Sequence, residues 1–334
     1  MPLLRSRFRR FFPLCLSAAL LACFCCNRSS SAQSNSVDLQ TKVDIPFRFV
    51  AYGDTRFHDP KDEDIANPMA RRALVQAIAE ANPAFICFTG DIVFNGYDSD
   101  DWKVWDSETG IWRDRKITVY PALGNHDLRG DLKADLANYF QRFPDLKNSR
   151  YYSVRAANTL LLVLDSSQDE VSGSQGKWLV GKLDNLPPDV DFVLLMLHHP
   201  PYTSAPGGII LGMSHTARPS EKKLAEMLES RQPHTRARFI VFAGHVHNYE
   251  RHEHGGVTYF VSGGGGAKPL LFERPSTDLF QSNEINYHYL LVEVDRLQLK
   301  VTMNRLDLTN GKAEFTQSDI VKIGAPAPST APNR

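Results

Sequence analysis

The chain has 334 residues, of which 42% are hydrophobic and 23% charged, with 38 basic side chains balancing 38 acidic ones. This length could hold two domains, but a net charge of zero gives no basic surface that would indicate a nucleic-acid partner. The composition agrees with a neutral, soluble protein.

The first 32 residues predict an export signal peptide. Four arginines between residues 5 and 10 precede an apolar run over 11–24, which is too short to span a bilayer as a mature helix. Cleavage after Ala32 competes with a lipobox-like segment ending at Cys23, which would leave a lipid anchor, and the paired arginines resemble part of a twin-arginine signal. We expect an exported protein without a membrane span, whether periplasmic, secreted or lipid-anchored.

Three further segments follow from composition. Residues 33–44 predict a polar tether, and the Pro- and Ala-rich residues 324–334 predict a disordered tail. Residues 45–323 predict one domain, because their motifs run on without a linker. If the leader is removed, Cys87 is the remaining cysteine, and it is expected to be a small buried side chain.

Apolar runs and breaker residues predict the elements of this domain. Strands are predicted at 47–51, 84–88, 117–120, 160–164, 192–197, 239–242 and 257–261, with a hairpin over 287–303. Asn67-Pro68 and Ser220 predict helix starts. The segment with three tryptophans, 102–112, predicts a helix packed on the core or a wall of a substrate cleft. Residues 263–266, all glycine, predict a loop whose backbone approaches another segment closely, and His252 and His254 are expected on a solvated turn.

Five strand ends lead directly into loops that carry potential metal ligands. They are Gly53-Asp54-Thr55-Arg56, Gly90-Asp91-Ile92-Val93, Gly124-Asn125-His126-Asp127, Leu197-His198-His199-Pro200 and Gly244-His245-Val246-His247-Asn248-Tyr249-Glu250-Arg251. Imidazole is a ligand suited to Zn, Fe or Mn. One His-x-His alone is weak evidence, whereas five such junctions together indicate a metal centre.

These five blocks, in this order, resemble the calcineurin-like metallophosphoesterases, and the last block is most similar to the purple acid phosphatase branch. The resemblance covers residues 45–305. It implies an α/β fold, a four-layer α/β/β/α sandwich of two mixed sheets flanked by helices. It also implies two divalent or Fe-, Zn- or Mn-type ions. The family pattern makes Asp91 the bridging ligand, with Asp54 and His247 on the first metal and Asn125, His198 and His245 on the second.

The implied reaction is hydrolysis of a small-molecule phosphate ester, either a phosphatase or a phosphodiesterase reaction. Two metals about 3.5–4 Å apart clamp the phosphate and acidify a water, so that a bridging hydroxide attacks phosphorus. The family pattern points His126 at the leaving group, as an acid or a charge stabiliser; alternatively, His126 only orients Asn125. Asp127 either fixes the His126 tautomer or caps the following turn. His199 is expected in a supporting role, and His215 either binds substrate or lies on an exposed loop.

The sequence departs from the family pattern in two places, both at the first metal. Arg56 stands where most of the superfamily has the histidine of Asp-x-His, and Phe94 stands where the purple branch has its tyrosine ligand, so no purple colour is expected. Arg56 suits a phosphate oxygen, or it forms a salt bridge with Asp59 or Asp62. The alternative function is therefore a non-catalytic phosphate-ester binding protein on the same fold, with a degraded first metal site.

Overall fold

A computed structural model describes residues 36–206, 215–309 and 311–326. The strands are β1 Val37–Thr41, β2 Phe47–Tyr52, β3 Phe85–Phe88, β4 Thr118–Pro121, β5 Tyr152–Ala156, β6 Thr159–Val163, β7 Phe192–Met196, β8 Arg238–Ala243, β9 Tyr249–His254, β10 Val257–Ser262, β11 Tyr287–Asp295, β12 Gln298–Thr309 and β13 Lys312–Gly324. The α-helices are α1 Pro68–Ala81, α2 Ser99–Glu108, α3 Gly110–Asp114, α4 Leu132–Arg142, α5 Gly173–Asp184 and α6 Pro219–Arg231.

The strands form two mixed sheets. The seven-stranded sheet has the order β1-β5-β6-β7-β8-β10-β9, and the six-stranded sheet has the order β13-β12-β11-β2-β3-β4. In β7, Phe192, Leu194 and Met196 enter the core between the sheets, whereas Val193 and Leu195 pack with the helix residues of a second core on the outer face. This alternation is what a strand buried on both sides requires. The architecture is the expected sandwich of two sheets flanked by helices.

The predicted capping chemistry holds at one of the two helix starts. The side chain of Asn67 accepts hydrogen bonds from the backbone N–H groups of Met69 and Ala70, and Pro68 is the first helical residue of α1. The predicted cap at Ser220 is wrong, because α6 begins at Pro219 and Arg218 is its N-cap residue. The tryptophan segment folds into α2 and α3, where Trp102 and Trp112 are buried, so the helix alternative is confirmed.

Two expectations are wrong. Residues 37–41 of the predicted tether form β1, which pairs in parallel with β5. His252 lies in strand β9, not on a solvated turn, and it is buried beside Glu250. Of the predicted tail, the structure describes residues 324–326: Gly324 ends β13, and the backbone N–H of Ala325 bonds to the carbonyl oxygen of Leu297.

The two ends of the chain are described only in part. Residues 1–32, including Cys23, and residues 327–334 lie outside the described residues. Within the described part of the chain, none of the helices has both the length and the apolar character needed to cross a membrane.

Candidate metal centre

The five predicted loops meet where the parallel strands of both sheets end. β2, β3 and β4 run parallel in one sheet, and β7 and β8 run parallel in the other. The carboxyl ends of parallel strands open at one edge of a sheet, which is where α/β proteins place their ligands. Backbone hydrogen bonds join the loops to one another, from the N–H of Asp54 to Gly90 O and from the N–H of Gly244 to His198 O.

One group of candidate ligands consists of Asp54, Asp91 and His247. One candidate ligand atom from each lies within 4.8 Å of the others, and all three side chains are buried. Nδ1 of His247 donates to the carbonyl oxygen of Lys268 at 2.8 Å, so Nε2 carries the lone pair. That Nε2 atom has no hydrogen-bond partner among the described residues and lies 3.7 Å from Oδ1 of Asp54. A buried acceptor facing a carboxylate fits a metal ion between them.

A second group contains Asn125, His198 and His245. Nδ1 of His198 donates to Thr89 O at 2.9 Å, which leaves the lone pair on Nε2. This Nε2 atom lies 3.0 Å from Oδ1 of Asn125 and 3.3 Å from Oδ1 of Asp91. His245 reaches the same place, with Nδ1 at 3.1 Å from Asn125 Oδ1. Asn125, His198 and His245 therefore bring ligand atoms together beside Asp91, where they fit a second cation.

The charges of the site favour cations as well. Burial and the charge of Asp91 raise the pKa of Asp54 well above its ordinary value. Burial also opposes ionisation of Asp91, but His198, His126 and Arg56 hold the pKa of that carboxyl below its ordinary value. Burial lowers the pKa of the His198 imidazole, which favours the neutral form that binds metals. A cation bound between the two carboxylates would offset the repulsion that raises the pKa of Asp54.

The backbone at the ligands is unusual. Asp54, Asp91 and His245 have φ angles of 59°, 53° and 71°, in the left-handed region that side chains other than glycine rarely adopt. Such conformations persist where the surrounding structure enforces them and cluster at functional sites. The predicted close approach of the glycine loop is present, since the N–H of Gly265 bonds to Gly53 O, and a Cβ at Gly265 would lie 2.2 Å from that oxygen.

His126 lies next to the bridging candidate Asp91. Its backbone N–H donates to Oδ1 of Asp91 at 2.9 Å, and its Nδ1 donates to Phe94 O at 2.8 Å. Phe94 also stacks on the imidazole, with ring centroids 5.1 Å apart. Burial lowers the pKa of His126. Nδ1 is therefore occupied by a backbone acceptor, and within the described residues no hydrogen bond is made to Nε2.

Asp127 serves neither of the two predicted roles. Its carboxylate accepts hydrogen bonds from the backbone N–H groups of Gly124 at 2.9 Å, Ile92 at 2.9 Å and Val93 at 3.2 Å. It is fully buried. Asp127 thus ties the loop of Asp91 to the loop of Asn125, whereas the carbonyl of Phe94 fixes the His126 tautomer.

Arg56 lies inside the centre. Its Nη2 and Nε atoms lie 3.3 and 3.4 Å from Oδ2 of Asp91, so the predicted partners Asp59 and Asp62 are wrong. The loop is held by buried Arg71, which donates to Arg56 O at 3.3 Å and is itself ion-paired with Glu108. Arg56 therefore occupies the first-metal side of the site.

The two remaining histidines also reach the centre. The His215 ring lies 4.9 Å from the His245 ring and 6.0 Å from the His247 ring, between centroids. The His199 ring lies 4.5 Å from that of His245. His199 is held by Ser166, a residue that the sequence reasoning missed. The signal was available, because Asp165-Ser166 follows the apolar run of β6 just as the five ligand blocks follow their strands.

The comparisons with known proteins agree with this geometry. Residues 47–249 match the family model described as calcineurin-like phosphoesterase. The chain belongs to this family. Members of the family use two metal ions, and the two ligand groups of the site provide for them.

The similar proteins include purple acid phosphatases. Purple acid phosphatase 1 of Ipomoea batatas is 23% identical over 231 residues, which are 63% of this chain and 44% of that protein. The structure of purple acid phosphatase PPD1 from yellow lupin (Lupinus luteus) seeds matches with a TM-score of 0.64 at 15% identity, over 87% of this chain and 58% of that one. The chain thus spans about half the length of these plant proteins.

Two other solved structures share the fold. The structure of PhoD matches with a TM-score of 0.57 at 12% identity, covering 86% of this chain and 73% of that one. GAP50, the anchor in the inner membrane complex of Plasmodium, matches with a TM-score of 0.55 at 16% identity, covering 85% and 90%. Identities this low establish the fold alone, so the evidence about function must come from the residues of the site.

Proposed function

We propose that this protein is an exported hydrolase of small phosphate esters that works with two metal ions. The observation that carries the proposal is the convergence of the predicted ligands on one site that also contains Arg56 and His126. Export rests on the N-terminal sequence, which has the charge and apolar pattern of a signal peptide.

Each part of the site has a task in ester hydrolysis. When bound, the metal ions would polarise the phosphoryl oxygens and make a water acidic. Arg56 presents a guanidinium to the phosphoryl group, and His215, whose ring lies 4.9 Å from that of His245, adds an imidazole. His126, protonated at Nε2, gives its proton to the departing oxygen. The bond from Nδ1 to Phe94 O fixes the orientation of this imidazole.

A second candidate is a phosphate-ester binding protein without turnover. It is favoured by one observation, the pairing of Arg56 with Oδ2 of Asp91, because the guanidinium occupies space beside the ligand that both metals would share. The hydrogen bond from Nδ1 of His126 to Phe94 O, which orients the imidazole, favours the hydrolase, since a binding protein has no use for a leaving-group acid.

One experiment separates these candidates. The purified protein is loaded with Mn, Fe or Zn, its metal content per chain is measured, and the same sample is assayed with p-nitrophenyl phosphate and its bis ester. The hydrolase predicts two ions and turnover. Asp91→Ala should lose both, whereas Asp59→Ala, which removes an exposed carboxylate from the loop between β2 and α1, should keep both. Phosphate binding without turnover in the loaded wild type would favour the binding protein.

A further inference from the structure

An exposed arginine without an anionic partner lies close to His126. Arg129 follows His126 by three residues, and its backbone N–H bonds to His126 O at 3.2 Å. Within the described parts of the chain, the Arg129 side chain makes no hydrogen bond and no ion pair. Arg56 differs in this respect, because its guanidinium is already paired with Asp91. The positive charge of Arg129 is therefore available to a ligand.

Phe94 connects this guanidinium to the imidazole of His126. The guanidinium carbon of Arg129 lies 4.8 Å from the centroid of the Phe94 ring, which is a cation–π contact. The same ring stacks on the His126 imidazole, with centroids 5.1 Å apart and an angle of 29° between the planes. Phe94 thus holds an imidazole and an unpaired cation around one aromatic ring.

The loops that carry Phe94 and Arg129 are packed tightly against each other. Gly130, directly after Arg129, has a φ angle of 139°, and a Cβ at this position would lie 2.1 Å from Cδ1 of the Tyr97 ring. The Tyr97 loop is held from behind, because Nδ2 of Asn138 donates to Tyr97 O at 3.2 Å. The contact between Phe94 and Arg129 therefore joins two loops that support each other.

The leaving group of a bound ester would lie beside this pair of residues. In the proposed reaction His126 gives its proton to the departing oxygen, so the group attached to that oxygen is next to the imidazole. A guanidinium stacked on an aromatic ring keeps its N–H groups free along its edge, where they fit the oxygens of a carboxylate or a phosphate. An anionic group carried by the leaving group would thus meet the unpaired charge of Arg129.

We propose that Arg129, held on Phe94, selects phosphate esters whose leaving group carries a second anionic group, either a carboxylate or another phosphate. This inference deepens the proposed function and rests on it, because the role of His126 as leaving-group acid places the leaving group at this position. Arg129 is then a specificity-determining residue. It differs from Arg56, whose guanidinium serves the phosphoryl group itself.

The proposal is tested with ligands that cannot be hydrolysed. Benzylphosphonate and 4-carboxybenzylphosphonate differ by one carboxylate, and inorganic phosphate has no leaving group. Their affinities for the metal-loaded, full-length protein are measured by calorimetry in the wild type, Arg129→Ala, Arg129→Lys and Lys133→Ala. Lys133→Ala is the matched control, because it removes another exposed cation four residues further along the chain.

We expect the wild type to bind 4-carboxybenzylphosphonate more tightly than benzylphosphonate. Arg129→Ala should weaken the binding of the carboxylated ligand by about 5- to 10-fold more than that of the other two ligands, an effect between those of an exposed ion pair and a hydrogen bond to a charged group. Arg129→Lys should keep part of the preference, since it keeps the charge and loses the planar fork. Lys133→Ala should keep all of it, and two ions should be bound in all four proteins.

Three results would overturn the proposal. The wild type could lack a preference for the carboxylated ligand, the preference could survive in Arg129→Ala, or Arg129→Ala could weaken all three ligands equally, which would assign Arg129 to the phosphoryl group. Failure of the proposed function looks different. A loaded wild type that binds the ligands but turns over neither p-nitrophenyl ester would refute the hydrolase, while the affinities still decide the role of Arg129; a wild type that binds none of the three ligands would refute both.

Discussion

Replacing Arg56 by alanine should weaken phosphate binding and leave the metal ions in place. The guanidinium is mostly buried, with 15% of its side chain exposed, and it lies 3.3 Å from the carboxylate predicted to bridge the metals. A hydrogen bond to a charged group contributes about 1.5–3 kcal/mol. At a factor of ten per 1.36 kcal/mol, its loss corresponds to roughly a 10- to 150-fold decrease in kcat/KM.

The assay combines three measurements on the same preparation. These are the inhibition constant of inorganic phosphate, kcat/KM for p-nitrophenyl phosphate, and metal content after graded chelation. Arg56→Lys is the matched control, because it keeps the charge and loses the planar fork, so it should recover only part of the lost affinity. Arg56→His should restore a ligand of the family pattern and make the first metal harder to remove.

The pH dependence of activity provides an independent test of the position of Arg56. Arg56 is one of the charges that lower the pKa of His126, after burial, which is the largest cause. Arg56→Ala should therefore raise that pKa, and activity that needs protonated His126 should persist to higher pH. If phosphate inhibition and kcat/KM both stay unchanged in Arg56→Ala, the guanidinium only neutralises Asp91 and the reasoning is refuted.

Three further predictions address other parts of the molecule. His126→Ala should keep both metals and lower kcat by about 10²–10⁴-fold, with the smallest decrease for esters that have good leaving groups. Equal decreases in kcat for good and poor leaving groups in steady-state assays would argue against His126 as the general acid. Burial and the neighbouring Glu221 raise the pKa of Glu170 from 4.5 to about 9. Between pH 4.5 and about pH 9 the folded chain therefore binds more protons than the unfolded chain, so the free energy of unfolding falls as the pH rises. Glu170→Gln should flatten that fall, by up to about 1.4 kcal/mol per pH unit, in denaturant titrations at pH 5 to 9; an unchanged slope would contradict the raised pKa. Gly265→Ala would place a methyl group 2.2 Å from Gly53 O, so it should lower both Tm and metal affinity in calorimetry, whereas Gly181→Ala, which meets nothing within 4 Å, should not.

The ligand positions could be predicted from sequence because each one follows its own strand. Where a buried strand ends in Gly-Asp or Gly-His, the Asp or His lies at the edge of the sheet. The positions of Asp54, Asp91 and His245 could therefore be predicted without knowing their distant partners. The same logic located Asn67 as a helix cap and Cys87 as a core residue, which the structure confirms. The sequence was sufficient to predict the position of a side chain wherever that position depends on residues nearby in the chain.

The sequence-based predictions failed where the determining partner is remote in sequence. β1 is a strand because it pairs with residues more than 100 positions later, and its half-exposed side chains alone indicate a tether. Asp127 lies beside His126 in sequence, yet its carboxylate bonds to the loop of Ile92 and Val93. Arg56 had acidic neighbours at 59 and 62, but it pairs with Asp91 on the adjacent loop. Tertiary pairing overrode sequence proximity in each case.

We expect Arg56 to couple metal loading to phosphate binding. The guanidinium and the metal ions compete for Asp91, since its Oδ2 faces Arg56 and its Oδ1 faces His198. A bound phosphate dianion offers Arg56 another partner and so frees the carboxylate for the metals. Because coupling between two ligands is reciprocal, whatever phosphate adds to metal affinity, metal must add to phosphate affinity.

This coupling can be measured by metal titration with and without inorganic phosphate. Phosphate that binds the metals directly will tighten them in any variant, so the informative quantity is the difference between wild type and Arg56→Ala. We expect phosphate to tighten the metals more in the wild type, because only there does it release Asp91 from a competing cation. Equal tightening in both proteins would mean that Arg56 stays on Asp91 throughout, and that this chain replaced a metal ligand with a fixed counter-charge.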